Sequence, residues 1–228
     1  GILKGVDYSV WDTSLDQLIP ARYSRDDLSG KRVCRTRLLE ASGLPDVPGL
    51  PVIGMISRLA DQKGFDLLRE CADEILRMGA CLVVLGTGQP EYHEFLTGLA
   101  SANPERVAAH LRFDNSLAHL IEAGADMFLM PSRYEPCGLN QMYSLRYGTV
   151  PVVRRTGGRR TLHEMLPERR RRLASGQSER AALVEADPHR RHDAAGIARE
   201  PGIAQRRRAA GLAGDIQALD QRTPAGAV

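Results

Sequence analysis

The sequence predicts an α/β protein built on a parallel sheet with helices on both faces, and three observations carry that expectation. From Pro51 onward, short apolar runs alternate with amphipathic stretches across brief connections, the pattern of repeated βα units. Two of the apolar runs, CLVVL at 81–85 and MFLM at 127–130, are continuous rather than alternating, as in strands covered on both faces. The loops after these runs collect glycines, cations and carboxylates, and they stand where open α/β sheets bind ligands.

In chain order, the opening GILKGVDYSVWD reads as a strand end turning into a loop. Residues 12–30 are polar and irregular, with Pro20 and a capping Ser24, and read as a surface connector. Val33, Leu38, Leu39 and Ala41 recur at partly helical spacing over 31–42, before Gly43 and Pro45 stop the expected short helix. Strands are expected at 52–56, 81–85, 107–111, 127–130 and 150–153, with helices at 66–78, 90–101, 116–123 and 139–147. This is the layout of a Rossmann-like, doubly wound sheet. After Gly158 no strand pattern recurs, and arginine clusters at 169–172 and 206–208 replace it. The chain therefore divides into a connector with a short helix (1–48), a Rossmann-like unit (49–158) and an irregular or loosely helical Arg-rich tail (159–228).

Charge separates the last two parts. Fourteen of the 31 basic and nine of the 28 acidic residues fall in 159–228, giving that segment +5 and leaving −2 for the rest. Every Phe, Trp and Tyr lies at or before Tyr147, so the tail has no aromatic anchor for a core. Its arginines attract phosphate nonspecifically. Without aromatic residues to stack on bases, they do not point to a nucleic-acid partner. Cys34, Cys71, Cys81 and Cys137 form no C-x-x-C pair, and the six histidines have no zinc-type spacing, so neither a disulfide framework nor a metal is expected. No apolar run reaches the ~18 residues of a membrane span, and no basic-then-apolar leader opens the chain. The expectation is a soluble, cytoplasmic protein with no membrane partner.

Four loops carry candidate chemistry. Arg58 and Lys63 lie five residues apart after the first strand and suit a diphosphate, one as a bidentate fork and the other as a compact charge; the alternative is two solvated cations. Gly86 and Gly88 follow the second strand and would let the backbone approach a ligand, unless they serve only a βα turn. Phe113 follows the third strand and offers a face for a base or sugar; the alternative is a core phenylalanine. Glu135 precedes a helix N-terminus whose exposed amides, at Gly138, Leu139 and Asn140, suit phosphate or sugar hydroxyls. A carboxylate there holds sugar hydroxyls or supports positive charge on an anomeric carbon, unless it simply caps the helix. No Asp-x-Asp occurs, so the cations would neutralise a leaving group without a metal or cofactor.

Taken together, GILKGVDYSVW, SRLADQKGFD, VLGTG and IEAGADMFLMPSRYEPCGLNQMYSLRYGTVPVVRRTGG resemble the bacterial glycogen synthase and plant starch synthase family over residues 1–158. The resemblance implies the C-terminal half of a GT-B glycosyltransferase that transfers glucose from ADP-glucose to the nonreducing end of an α-1,4-glucan with retention. It implies that Arg58 and Lys63 neutralise the donor diphosphate and that Glu135 is the carboxylate near the transferred glucose. Cys137, Gly138 and Leu139 would line the glucose and phosphate pocket, and Phe113 stands where the family commonly has a tyrosine near the adenine. Lys4 replaces the family's usual asparagine beside the acceptor cleft. The family's N-terminal domain has no counterpart here, and after Gly158 the text Arg159-Arg160-Thr161-Leu162 replaces Leu-Ala-Asp-Thr-Val. These departures set the expectation of a truncated fragment without a complete active site, with 159–228 read in a shifted frame. The rival readings are another nucleotide-sugar retaining glycosyltransferase, which EPCGLNQ argues against, and a noncatalytic basic fragment associated with nucleic acid.

Overall fold

The computed structural model describes residues 6–154. Lys4, the segment 155–158 and the tail 159–228 lie outside them, as do the expectations placed there. Five strands form one sheet: β1 (Val52–Ile56), β2 (Cys81–Leu85), β3 (Val107–His110), β4 (Met127–Met130) and β5 (Val150–Val153). Their order is β3-β2-β1-β4-β5, and every pairing is parallel. Five helices accompany them: α1 (Ser29–Ala41), α2 (Phe65–Arg77), α3 (Pro90–Ala102), α4 (Asn115–Gly124) and α5 (Leu139–Arg146). Among the described residues, no helix is long and apolar enough to cross a membrane.

Strand residues alternate between two cores, as the two-residue period of a pleated strand requires. Ile53, Met55, Leu82, Val84, Met127 and Leu129 face α2 and α3 through Phe65, Leu68, Ile75, Tyr92 and Leu96. Val52, Cys81, Val83, Phe128 and Met130 face α1 and α4 through Cys34, Leu38, Leu39, Leu117 and Ile121. The boundaries differ from the sequence expectation by a residue or two at helix ends. Asp114 shows why: its Oδ1 accepts from the Leu117 amide at 2.9 Å, and this cap starts α4 at Asn115.

The segment 12–30 differs in kind from its expectation. It is no surface connector, because Asp12, Thr13, Asp16, Ile19 and Tyr23 are all buried against the second face. Asp16 Oδ2 accepts from the Tyr147 hydroxyl at 2.6 Å and lies 2.8 Å from His119 Nδ1. Trp11 is sandwiched between the rings of His119 and Tyr143, with centroids 3.8 and 4.0 Å away and nearly parallel planes. The Tyr23 hydroxyl and the Lys31 ammonium both donate to the Tyr147 carbonyl, at 2.9 and 3.1 Å. Most of these buried polar groups find a partner, which is what makes their burial tolerable, while His119 Nε2 has none among the described residues.

Glu122 lies at the centre of the α4–α5 seam, where Ser144 Oγ donates to its Oε2 at 2.8 Å. Burial pushes its carboxyl up to about 8, against the opposing influence of Ser144 and Lys31. The folded chain therefore keeps a proton that the unfolded chain loses above the ordinary value of 4.5. Stability is then fully present below that value and declines as pH rises toward 8, by up to about 1.4 kcal/mol per pH unit. Urea unfolding of Glu122→Gln, followed by circular dichroism across this range, should show that decline removed; an unchanged slope would assign it to another group.

Candidate active site

The strand order turns back at β1, so β1 and β4 are neighbours whose chains leave toward opposite faces of the sheet. A crevice opens between their carboxyl ends, the position at which open α/β sheets bind ligands. It holds a cavity of about 560 Å³ whose lining includes Arg58, Lys63, Gly86, Phe113, Glu135, Cys137, Leu139 and Asn140. Eight of the ten sequence-predicted site residues thus meet in one place. Gly88 and Gly138 lie outside the lining, the latter at the N-cap of α5 with a φ of 67°.

Two loops build the floor. After β1 the chain makes a single 3-10 turn at Asp61–Lys63, closed by Gly64 with a φ of 77°. A Cβ at Gly64 would stand 2.4 Å from the Pro131 carbonyl oxygen, so this glycine lets the β1 loop touch the loop after β4. The contact continues through polar groups. Lys63 Nζ meets Glu135 Oε2 at 2.8 Å, and both side chains are mostly buried. The Arg133 amide donates to the Gln62 carbonyl at 2.9 Å, and the Arg133 guanidinium pairs with Asp66. Glu135 does not cap α5, where Gly138 provides no side-chain cap. Asn140 Nδ2 instead ties the start of α5 to the Ile56 carbonyl at 3.3 Å.

The remaining wall comes from the ends of β2 and β3. The alternative of a core phenylalanine is overturned at Phe113, which is 88% exposed at the cavity edge. Beside it Arg112 Nη2 meets Asp114 Oδ2 at 2.9 Å. The Leu117 amide, with help from Arg112, holds the Asp114 carboxyl below its ordinary value although burial opposes this. Gly86 and Gly88 have a reason inside the protein: a Cβ at either would lie 1.9 Å from the Ser57 carbonyl oxygen or 2.2 Å from that of Leu59. The loops after β1 and β2 run side by side here, joined by Leu59 N to Thr87 O at 3.0 Å and Gln89 N to Leu59 O at 2.8 Å. Of the polar residues that build this site, the sequence reading did not select Ser57, Gln62, Thr87, Arg112, Asp114 or Ser132. Gln62 had a usable signal, since it stands four residues beyond Arg58 and next to Lys63.

The chemistry available is that of an anion-binding crevice: the cations Arg58, Lys63 and Arg112, the carboxylates Glu135 and Asp114, helix N-terminal amides and an aromatic face around a single cavity. Residues 43–167 match the family model described as glycosyl transferases group 1. The chain is 56% identical over 158 residues to a glycogen synthase of an Anaeromyxobacter species, covering 69% of this chain and 33% of that protein. It is 49% identical over 189 residues to glycogen synthase 1 of Methylococcus capsulatus, covering 82% of this chain and 38% of the relative. Among solved structures it is similar to the catalytic domain of starch synthase IV from Arabidopsis thaliana, bound to ADP and acarbose, with a TM-score of 0.70 and 28% identity over 97% of this chain and 48% of that one. The chain thus spans about a third of the length of these curated relatives.

The steric reading of the glycines gives a paired expectation. Gly88→Ala should destabilise the fold by about 1–3 kcal/mol, the usual cost of overpacking. Gly98→Ala, in α3 with nothing within 4 Å of where the new methyl group would stand, should stabilise it by about 0.5–1 kcal/mol. Chemical denaturation of the two variants without any ligand checks both signs.

Proposed function

Because the chain belongs to the group 1 glycosyl transferases, we propose that it is the donor-binding part of an ADP-glucose-dependent glycogen or starch synthase. The whole enzyme transfers glucose from ADP-glucose to the nonreducing end of an α-1,4-glucan, retaining the anomeric configuration. The observation that carries this reading is the convergence of Arg58, Lys63 and Glu135 on one cavity at the strand-order reversal. The similarity to glycogen synthases and to a starch synthase domain solved with ADP and acarbose supports the choice of donor and acceptor.

In this reading the diphosphate lies against Arg58 and Lys63. The guanidinium contributes directional donors, and the ammonium a compact charge that follows the oxygens as the bond to the sugar breaks. The amides at the start of α5 add fixed partial positive charge without reorganisation. Glu135 faces the sugar, where a carboxylate holds hydroxyls in the ground state and offsets positive charge at the anomeric carbon as the leaving group departs. The exposed ring of Phe113 covers one face of the adenine. Lys63 has a double part, since in the free chain its charge is shared with Glu135. Donor binding redistributes that cation between carboxylate and phosphate.

Titration calorimetry tests the assignment on the full chain. ADP should bind, and Arg58→Ala should weaken it by about tenfold or more, the worth of a hydrogen bond to a charged group. UDP, whose smaller base leaves part of the Phe113 face uncovered, should bind more weakly than ADP. Equal ADP affinity in wild type and Arg58→Ala removes Arg58 from the diphosphate site, and UDP binding as tight as ADP binding ends the adenine assignment.

A further inference from the structure

Gln62 lies between the two proposed diphosphate ligands in the β1 loop, yet its side chain is not part of the cavity lining. Its polar atoms are all turned to other tasks. Oε1 accepts from Arg58 Nη2 at 3.4 Å, and Nε2 donates to the Tyr134 carbonyl at 3.2 Å. Its own backbone carbonyl accepts the Arg133 amide at 2.9 Å. Residues 62 and 63 together therefore hold residues 133, 134 and 135, the last through the 2.8 Å contact of Lys63 with Glu135. The polarity of this arrangement is demanding. A guanidinium only donates and a carbonyl only accepts, so the bridging group has to present an acceptor to one and a donor to the other. A primary amide does so without charge. Glutamate lacks the donor, lysine lacks the acceptor, and asparagine is one methylene shorter.

We propose that Gln62 is a positioning residue of the donor site, setting the orientation of Arg58 against the loop that carries Glu135. The inference rests on the donor-site reading above. Arg58 is exposed on a long side chain, and such a chain loses rotamer freedom when it grips a ligand. An anchor on Nη2 removes part of that loss before the diphosphate arrives, the advantage of a preorganised fork. The same amide fixes the carbonyl of the residue before Glu135. One neutral side chain thus keeps the cation that meets the leaving group and the carboxylate loop that meets the sugar in a single register.

The test is a double-mutant cycle on the full 228-residue chain, with ADP as the titrant. Gln62→Met keeps length and packing while removing both polar ends, and Gln62→Ala serves as a second variant should one of them fold poorly, as judged by thermal unfolding. Either should weaken ADP by about threefold to tenfold, the usual worth of one hydrogen bond. In an Arg58→Ala background the same change should alter affinity by less than about twofold, because its effect travels through Arg58. An equal loss in both backgrounds makes Gln62 a structural residue and overturns the proposal, as does no loss in either. Wild-type binding that responds to Arg58→Ala but not to Gln62→Met leaves the donor site standing without the role of Gln62. A wild-type chain that does not bind ADP removes the donor site and this inference with it.

Discussion

Strands β1 and β4 are hydrogen-bonded neighbours, yet the chain leaves β1 toward α2 on one face and β4 toward α5 on the other. That divergence is forced by the strand order and is the constraint on which the site depends. Two loops starting side by side and heading apart leave a gap that no strand fills. Here the gap is bounded rather than closed. Gly64 lets the β1 loop press on Pro131, and the Lys63–Glu135 pair bridges the contact. The cavity is consequently a property of the backbone layout, and the side chains supply its chemistry.

The second face holds the layout in place with polar groups as much as with apolar ones. Arg35, mostly buried, meets Asp126 at 2.6 Å and Asp46 at 3.2 Å and donates to the Leu50 carbonyl at 2.7 Å, while the same Asp126 oxygen accepts the Val52 amide at 2.8 Å. One arginine so fixes α1 to the starts of β1 and β4. The segment before α1 is pinned by Trp11, Asp16 and Tyr23 onto α4 and the end of α5. Breaking one member of such a network strands a buried charge or hydroxyl, which costs more than the contact itself supplies. The helices that flank the crevice are therefore positioned from behind, away from the ligand side.

This division explains what was legible in the sequence. The strands 52–56, 81–85, 127–130 and 150–153 were readable because burial on both faces writes continuous apolar runs, and the third strand ended one residue early only because Leu111 follows its last paired residue. The site loops were readable because each follows such a run. Residues 12–30 were misread because their buried members are mostly polar or isolated, and their partners, His119 and Tyr147, lie more than a hundred residues away. Periodicity carries no trace of such pairings. The same holds for the Lys63–Glu135 contact, across a separation of 72 residues. Local pattern reports which face a residue takes, whereas a polar contact between distant loops depends on the topology that brings them together.

That contact also shapes the electrostatics of the crevice. Lys63 and Glu135 offset each other at 2.8 Å, as do Arg112 and Asp114 at 2.9 Å, whereas the hydrogen bond from Arg58 goes to the neutral Gln62. Among the described residues that line the cavity, the uncompensated positive charge is thus that of the exposed Arg58. On the proposed reading an incoming diphosphate meets Arg58 first, in a region of high effective dielectric where attraction is modest and easily reversed. Deeper in, Lys63 is already partly desolvated by its pairing with Glu135, so its engagement with phosphate exchanges one anion for another and avoids stripping a fully hydrated ammonium. On the same reading the carboxylate released from that pair is the one that would face the sugar. The proposed donor binding and the proposed part of Glu135 would in this way be coupled through a single cation, and Gln62, adjacent to it in the chain, ties the two loops together through Arg133 and Tyr134.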